Sequence, residues 1–248
     1  MATAPKGGRG AERAFASPLP DDGEVVLDEA ESRHLVRVRR ARVGDEVVLF
    51  DGRGALRRGR LASDGPKGAV VRIEGPETPR LPARRVAVAV ALPAAGRADD
   101  LLEALAEMGV VALLPLLAER ATVDAESRTA RRRERWERIA REALKVSGGA
   151  TALRVEEPVT LPGALSWAGG GAPAYVPVLL HTDPALPSLY AALEGVASAL
   201  LLVGPEGGFT DAERAEAARL GARPASLGGL ALRTETAAAA AAAVSLCP

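Results

Sequence analysis

From Arg84 onward the chain alternates uninterrupted apolar runs with segments of helical periodicity. Residues 86–92 (VAVAVAL), 110–117 (VVALLPLL), 178–180 and 200–203 carry no polar side chain. Such runs are strands buried on both faces, as in a parallel sheet covered by helices. Between the first two, residues 98–108 repeat apolar positions at helical spacing. Across 129–146, Trp136, Ile139, Ala143 and Leu144 stand at i, i+3, i+7 and i+8. Strands alternating with helices predict an α/β layered domain. Residues 13–78 read differently. Short strands are expected at 25–27, 47–50, 55–61 and 69–73, with a hairpin turn at 51–54 (DGRG) and one helix at 31–40. That is the pattern of a small β-barrel. The stretch GPETPRLPAR, with Pro76, Pro79 and Pro82, separates the two. The expected domains are therefore 13–78 and 84–248. The first dozen residues, rich in glycine, alanine and basic side chains, are expected to be disordered.

The densest local pattern lies at 200–246. The strand at 200–203 runs into Gly204-Pro205-Glu206-Gly207-Gly208, and a helix opens at once, since Thr210 and Glu213 have the T-x-x-E spacing of a capping box. Gly221 ends that helix. A second short strand, 225–227, enters Gly228-Gly229, and LALRTET leads into an alanine-rich helix over 236–244. Glycine loops at strand ends let backbone approach a ligand closely. Neither loop fits a phosphate cradle, because no Lys-Ser/Thr follows and no G-x-G-x-x-G is present. Glu206 would also repel a phosphate, whereas a cationic ligand held by backbone groups suits the loop. For either loop alone, a tight strand-to-helix turn is the plainer account.

Taken in order, GPEGGF, a helix, SLG and LRTETA resemble the signature of the bacterial 16S ribosomal RNA uridine-N3 methyltransferases, members of the SPOUT class. RHLVRVRRARVGDEVVLFDGRG (33–54) is similar to that family's N-terminal PUA-like barrel, and LLEALAEMGVVALLPLLAERATV (101–123) to the first helix and strand of its catalytic domain. The resemblance implies a C-terminal α/β domain tied in a trefoil knot around S-adenosylmethionine (SAM). It also implies a homodimer with the pocket near the subunit interface, and ribosomal RNA or the small ribosomal subunit as partner. The cofactor contacts it implies come from Leu180, His181 and Thr182, from Val203, Gly204, Gly207 and Gly208, and from Leu227, Gly228, Leu232 and Thr234. Arg233 falls where cofactor and target base would meet. Uracil N3 carries a proton whose pKa lies above neutrality. Arg233 would stabilise the developing anionic imide, with Glu206 either accepting the proton or orienting the base edge. The plainer role for Arg233 is an ion pair with Glu235 or a helix-end contact.

This chain departs from the family pattern at several basic and polar positions. Ala94, in the loop 93–96, and Ala104 stand where lysine is usual. Val146 and Gly149 replace glutamine and arginine, and Leu230 replaces the first of two arginines, leaving Arg233. The glycines that would shape the cofactor pocket are all kept. Two alternatives to methyl transfer on 16S ribosomal RNA follow from these losses. One is a non-catalytic RNA-binding or ribosome-assembly paralogue, and the other is a SPOUT methyltransferase with a different RNA target.

Charge sharpens the question of RNA binding. The chain has 32 basic and 32 acidic side chains, with 15 against 13 in residues 1–80 and 17 against 19 in the rest. Phosphate contacts dominate nucleic-acid affinity, so any attractive field must come from local clusters. One is expected in the barrel, at Arg33, Arg37 and Arg40. Another is expected on the long helix, where Arg131, Arg135 and Arg138 share a face away from Trp136. A solvated face laced with pairs to Glu134, Glu137 and Glu142 is the competing account of that helix. Aromatic residues are 3% of the chain, which leaves base stacking a minor element. One cysteine, Cys247, and two histidines provide neither a disulfide nor a metal site, and no metal is expected. No G-x-S-x-G supports a hydrolase triad. No apolar run nears the roughly 20 residues of a membrane span, and the N-terminus lacks a signal-like apolar stretch, so a cytoplasmic protein is expected.

Overall fold

The computed structural model describes residues 11–94, 96–172 and 174–247. The N-terminal residues 1–10, expected to be disordered, and Ala95 of the 93–96 loop lie outside the described residues. The chain divides into two compact units. One runs up to Arg80 and includes Leu144–Thr151; the other comprises Leu81–Ala143 and the chain from Ala152.

The first unit holds β1 (Glu12–Phe15), β2 (Glu24–Val26), α1 (Glu29–Arg33), β3 (Glu46–Phe50), β4 (Leu56–Gly65) and β5 (Gly68–Pro76). Its sheet has the order β1-β3-β4-β5-β2, antiparallel except for the β1–β3 pair. Register shifts at Arg58/Gly59 and Leu61/Ser63 bend the β4–β5 ribbon around a core of Leu35, Val47, Leu49, Leu61 and Val71. Gly59 is required there, since a Cβ would stand 2.4 Å from the Arg72 carbonyl oxygen. The helix expected at 31–40 begins earlier, where the Asp28 carboxylate accepts the Glu31 backbone N–H at 2.8 Å, and widens into a π-helical turn over His34–Val38. The segment Leu144–Thr151 joins this unit through Lys145, 2.6 Å from Glu31, and through Gly149, whose carbonyl accepts Arg13 Nη2 at 2.5 Å.

The second unit runs β6 (Arg85–Val90), α2 (Arg97–Met108), β7 (Ala112–Leu117), α3 (Ala125–Ser147), β8 (Arg154–Val155), β9 (Val159–Thr160), α4 (Leu161–Gly169), β10 (Val176–His181), α5 (Leu189–Ala192), β11 (Ser198–Val203), α6 (Asp211–Arg219), β12 (Arg223–Ser226) and α7 (Thr234–Leu246). All its strand pairs are parallel, in the order β12-β10-β11-β6-β7-β8, with β9 against β7. Successive residues point to opposite faces. Val86, Val88, Val90, Leu201 and Val203 pack with Leu102, Leu105, Trp136 and Ala241, from α2, α3 and α7. Ala87, Ala89, Leu200 and Leu202 pack with Ala164, Leu165 and Ala217, from α4 and α6. Both faces are covered, which is why these strands read as unbroken apolar runs. Ala238, Ala241 and Ala242 are fully buried. Their small side chains let α7 lie close on the sheet. No helix among the described residues is long and apolar enough to cross a membrane.

Candidate functional site

In open parallel sheets ligands bind outside the carboxyl ends of the strands, where the strand order reverses. Here β10 lies between β11 and β12, and the chain leaves all three at the same edge. The loops that follow enclose a cavity of about 320 Å³, within the size range of small-molecule sites. Leu180, His181 and Thr182 line it from the end of β10. Val203, Gly204, Glu206, Gly207 and Gly208 line it from β11 and its loop, and Leu227, Gly228 and Leu232 from the loop after β12. Thr234, at the start of α7, completes the set of cofactor residues expected from the sequence.

The loop after β11 is held in place from several sides. A Cβ on Gly204 would fall 3.1 Å from the Phe209 ring, so no larger residue fits without moving that ring. Gly208 has φ +66, a conformation that favours glycine. Thr210 and Glu213 form the full capping box that opens α6. Thr234 Oγ1 donates to the Gly204 carbonyl at 3.3 Å, linking α7 to the loop. Gly228, with φ +119, donates its N–H to Ser226 Oγ at 3.1 Å. His181 Nδ1 accepts the Asp183 N–H at 3.0 Å, which orients the ring at the cavity wall.

The sequence reading missed part of the wall. Arg120, from the loop after β7, lines the cavity and donates to the Gly207 carbonyl at 2.8 Å. Arg214 lines it too and donates to the Phe209 carbonyl at 2.8 Å. Glycine spacing finds loops but not the side chains that brace them from other elements. Arg120 stands in AERATV, the end of the 101–123 stretch that resembles the family's first helix and strand, and no site role was expected of it.

Glu206 is exposed on the cavity wall. Arg233 is exposed at the N-cap of α7, between the lining residues Leu232 and Thr234. The pairing of Arg233 with Glu235 considered from the sequence is not formed. Glu235 Oε1 instead accepts Arg97 Nη1 at 3.0 Å. Burial works to raise the Glu235 pKa, but the backbone hydrogen bond, the Arg97 contact and the nearby Arg233 charge outweigh it and hold it below the usual range.

The expected RNA contacts divide. Arg33, in the last turn of α1, Arg37, in the π turn, and Arg40, at φ +59, are exposed. Neighbouring barrel arginines are paired, Arg39 with Glu12, Arg60 with Glu46 and Glu74, and Arg72 with Glu24. On α3, Arg131, Arg135 and Arg138 are all exposed. Arg135 in addition donates through Nε to Asp99 Oδ2 at 2.8 Å, the carboxylate whose other oxygen accepts the Trp136 indole N–H at 2.7 Å. A helical wheel places residues around one helix but cannot show a carboxylate supplied by another. Of the departures from the family pattern, Leu230 is on the cavity wall and 83% exposed.

Comparison with known proteins agrees with this geometry. Residues 79–246 match the family model of an RNA methyltransferase domain, and residues 27–74 that of an RNA methyltransferase PUA domain. The ribosomal RNA small subunit methyltransferase E of Synechocystis sp. is 33% identical over 87% of this chain and 70% of its own length. That of Mycobacterium bovis is 32% identical over 91% of this chain and 87% of its own. The crystal structure of ribosomal RNA small subunit methyltransferase E from Neisseria gonorrhoeae bound to S-adenosyl methionine superposes with a TM-score of 0.79, at 28% identity, covering 94% of this chain and 95% of that one. A PUA unit followed by a SPOUT-type methyltransferase unit, carrying this glycine-loop cavity, places the chain in the ribosomal RNA small subunit methyltransferase E family.

Proposed function

We propose that this chain is a SAM-dependent methyltransferase acting on N3 of a uridine in small-subunit ribosomal RNA, working as a cytoplasmic homodimer. One observation carries the reading: every cofactor residue expected from the motif lies on the wall of one cavity at adjoining strand ends. The cavity fits SAM chemically. Backbone groups at 180–182, 204–208 and 227–228 can hydrogen-bond an adenosine, Leu227 and Leu232 offer apolar surface, and the exposed Glu206 carboxylate faces a cationic ligand favourably.

When bound, SAM supplies a sulfonium-activated methyl group. The chain's own residues orient the reactants, since in-line transfer gains most from positioning. Thr234 and Arg120 brace the Gly204–Gly208 backbone at the Gly204 and Gly207 carbonyls. Arg233, in the exposed N-cap position beside this wall, stabilises negative charge on the imide as N3 loses its proton. Glu206 accepts that proton or holds the base edge.

Calorimetry with SAM and S-adenosylhomocysteine tests the cofactor, and base mapping of ribosomal RNA from cells with and without the protein tests the target. Binding of either compound and loss of one methylated small-subunit uridine are expected. Absence of binding, even with RNA present, overturns the enzyme reading. Cofactor binding with no change in methylation assigns a non-catalytic paralogue, and a change at another base assigns a different target.

A further inference from the structure

Beside the apolar stripe that packs Trp136, Ala140 and Ala143 into the core, α3 carries a second stripe made of arginine. Arg128, Arg131, Arg132 and Arg135 fall at i, i+3, i+4 and i+7, and these four side chains form the walls of a concave surface of about 480 Å³. The arrangement rests on Asp99, in the first turn of α2, which is 8% exposed. Its Oδ1 accepts the indole N–H of the fully buried Trp136 at 2.7 Å, and its Oδ2 accepts Arg132 Nη1 and Arg135 Nε, each at 2.8 Å. Arg128 Nη1 donates to the Pro93 carbonyl at 3.3 Å and Arg131 Nε to the Ser127 carbonyl at 3.1 Å.

Each guanidinium is thus tethered by one bond, while a guanidinium has five N–H donors. One carboxylate cannot neutralise two guanidinium groups, and among the described residues no carboxylate stands within ion-pair distance of Arg128 or Arg131. The surface therefore combines a charge excess with side chains already ordered, Arg132 and Arg135 by Asp99, Arg128 by the Pro93 carbonyl and Arg131 by the Ser127 carbonyl. Ordering before binding lowers the entropic cost of capturing a ligand. Arginine forks match the oxygens of a phosphate bidentately. A free carboxylate ligand would be recognised less well by four converging forks than a diester with its two exposed oxygens and a neighbouring phosphate.

We propose that Arg128, Arg131, Arg132 and Arg135, none of which lines the cofactor cavity, form a preorganised clamp for two consecutive phosphates of the RNA substrate backbone. The clamp rests on the ribosomal RNA reading above. It positions RNA without reading sequence, because phosphate contacts carry none.

The test uses the full chain and Arg128→Gln/Arg131→Gln, which spares the Asp99 pairs and so the fold. A naked small-subunit ribosomal RNA transcript is titrated at several salt concentrations. The clamp predicts an affinity roughly tenfold weaker at moderate salt. The slope of log affinity against log salt should be shallower by about 1.4–1.8, from two lost phosphate contacts. SAM affinity by calorimetry and the thermal midpoint should be unchanged. Equal RNA affinity and slope for the variant and wild type overturn the clamp, even where wild type methylates RNA. A defect seen with assembled small subunits but not with naked RNA assigns the surface to a protein contact and overturns it too. Failure of wild type to bind SAM instead strikes the functional reading, and leaves the RNA titration to judge the clamp separately.

Discussion

Arg233 is the residue on which the chemistry turns. The structure removes one rival role, since Glu235 takes its direct ion pair from Arg97 and Arg233 contributes only a nearby charge. Exposed at the N-cap and without a side-chain capping bond, Arg233 supports little stability. Arg233→Ala should therefore leave the thermal midpoint nearly unchanged and SAM affinity largely intact. A contact made only in the transition state has its effect on the rate. Loss of one charge-stabilising donor at the reacting centre costs on the order of 2–4 kcal/mol, or roughly a hundredfold or more in single-turnover rate. The family's other arginine in this loop is Leu230 here, 83% exposed, so no second guanidinium at that position backs up Arg233. Single-turnover kinetics at saturating SAM decide the matter, and an unchanged rate removes Arg233 from the mechanism.

Whether an element could be read from the sequence depended on whether its determinants were local. The central strands β6, β7 and β11 announce themselves because covering both faces forces a long run of apolar residues, and β10 does so through the shorter run 178–180. α6 does so through its capping box. By contrast β1, with the sequence ERAF, gains its place only by pairing with β3, far along the chain (Glu12 with Val47). α4, which no expectation covered, opens with Pro162 and Gly163; Pro at the first turn is compatible with a helix, and Thr160 accepts the Gly163 N–H as its cap. The same limit hid the α2–α3 junction, where Asp99 of one helix ties Trp136, Arg132 and Arg135 of the other. Burial works to raise the Asp99 pKa, but the hydrogen bonds from Trp136 and Arg135 and the charges of Arg132 and Arg135 hold it below the usual carboxylate value. A depressed folded-state pKa gives stability that is present above the unfolded value, about 3.9, and is lost as pH falls through the lower folded value. Asp99→Asn keeps an acceptor for the indole but loses both charge-assisted bonds, so it should cost about 1.5–3 kcal/mol at pH 7. The gap between wild-type and variant thermal midpoints should stay constant from pH 7 to about 4 and close below that. A gap that closes nearer neutrality would place the titration elsewhere.

For the whole molecule, the cofactor wall and an uncovered apolar surface meet. Leu227 and Gly228 line the cofactor cavity on one side and, on the other, a second depression shared with Tyr190 and Val244. Tyr190 is 70% exposed and Val244 39%, while Leu230 and Leu232, in the same loop as Gly228, are 83% and 39% exposed. Scattered exposed apolar residues are ordinary, but Tyr190 and Val244 share one depression with Leu227 and Gly228 of the cofactor loop, which makes that depression a candidate interaction surface. The inner alanines of α7, Ala238, Ala241 and Ala242, are spent within their own unit, so they cannot supply a dimer contact. The outer group around Tyr190 can. A second copy of this chain seated there would cover the loop 227–232 from outside and restrict its motion, which ties cofactor affinity to assembly. Light scattering should give twice the 25.6 kDa chain mass for wild type. Tyr190→Glu, which alters no residue of the cofactor wall, should return the mass to that of one chain and weaken SAM binding at the same time. A wild-type mass of one chain at every concentration would remove the dimer. A monomeric Tyr190→Glu protein with full SAM affinity would keep the dimer but break its link to the cofactor loop.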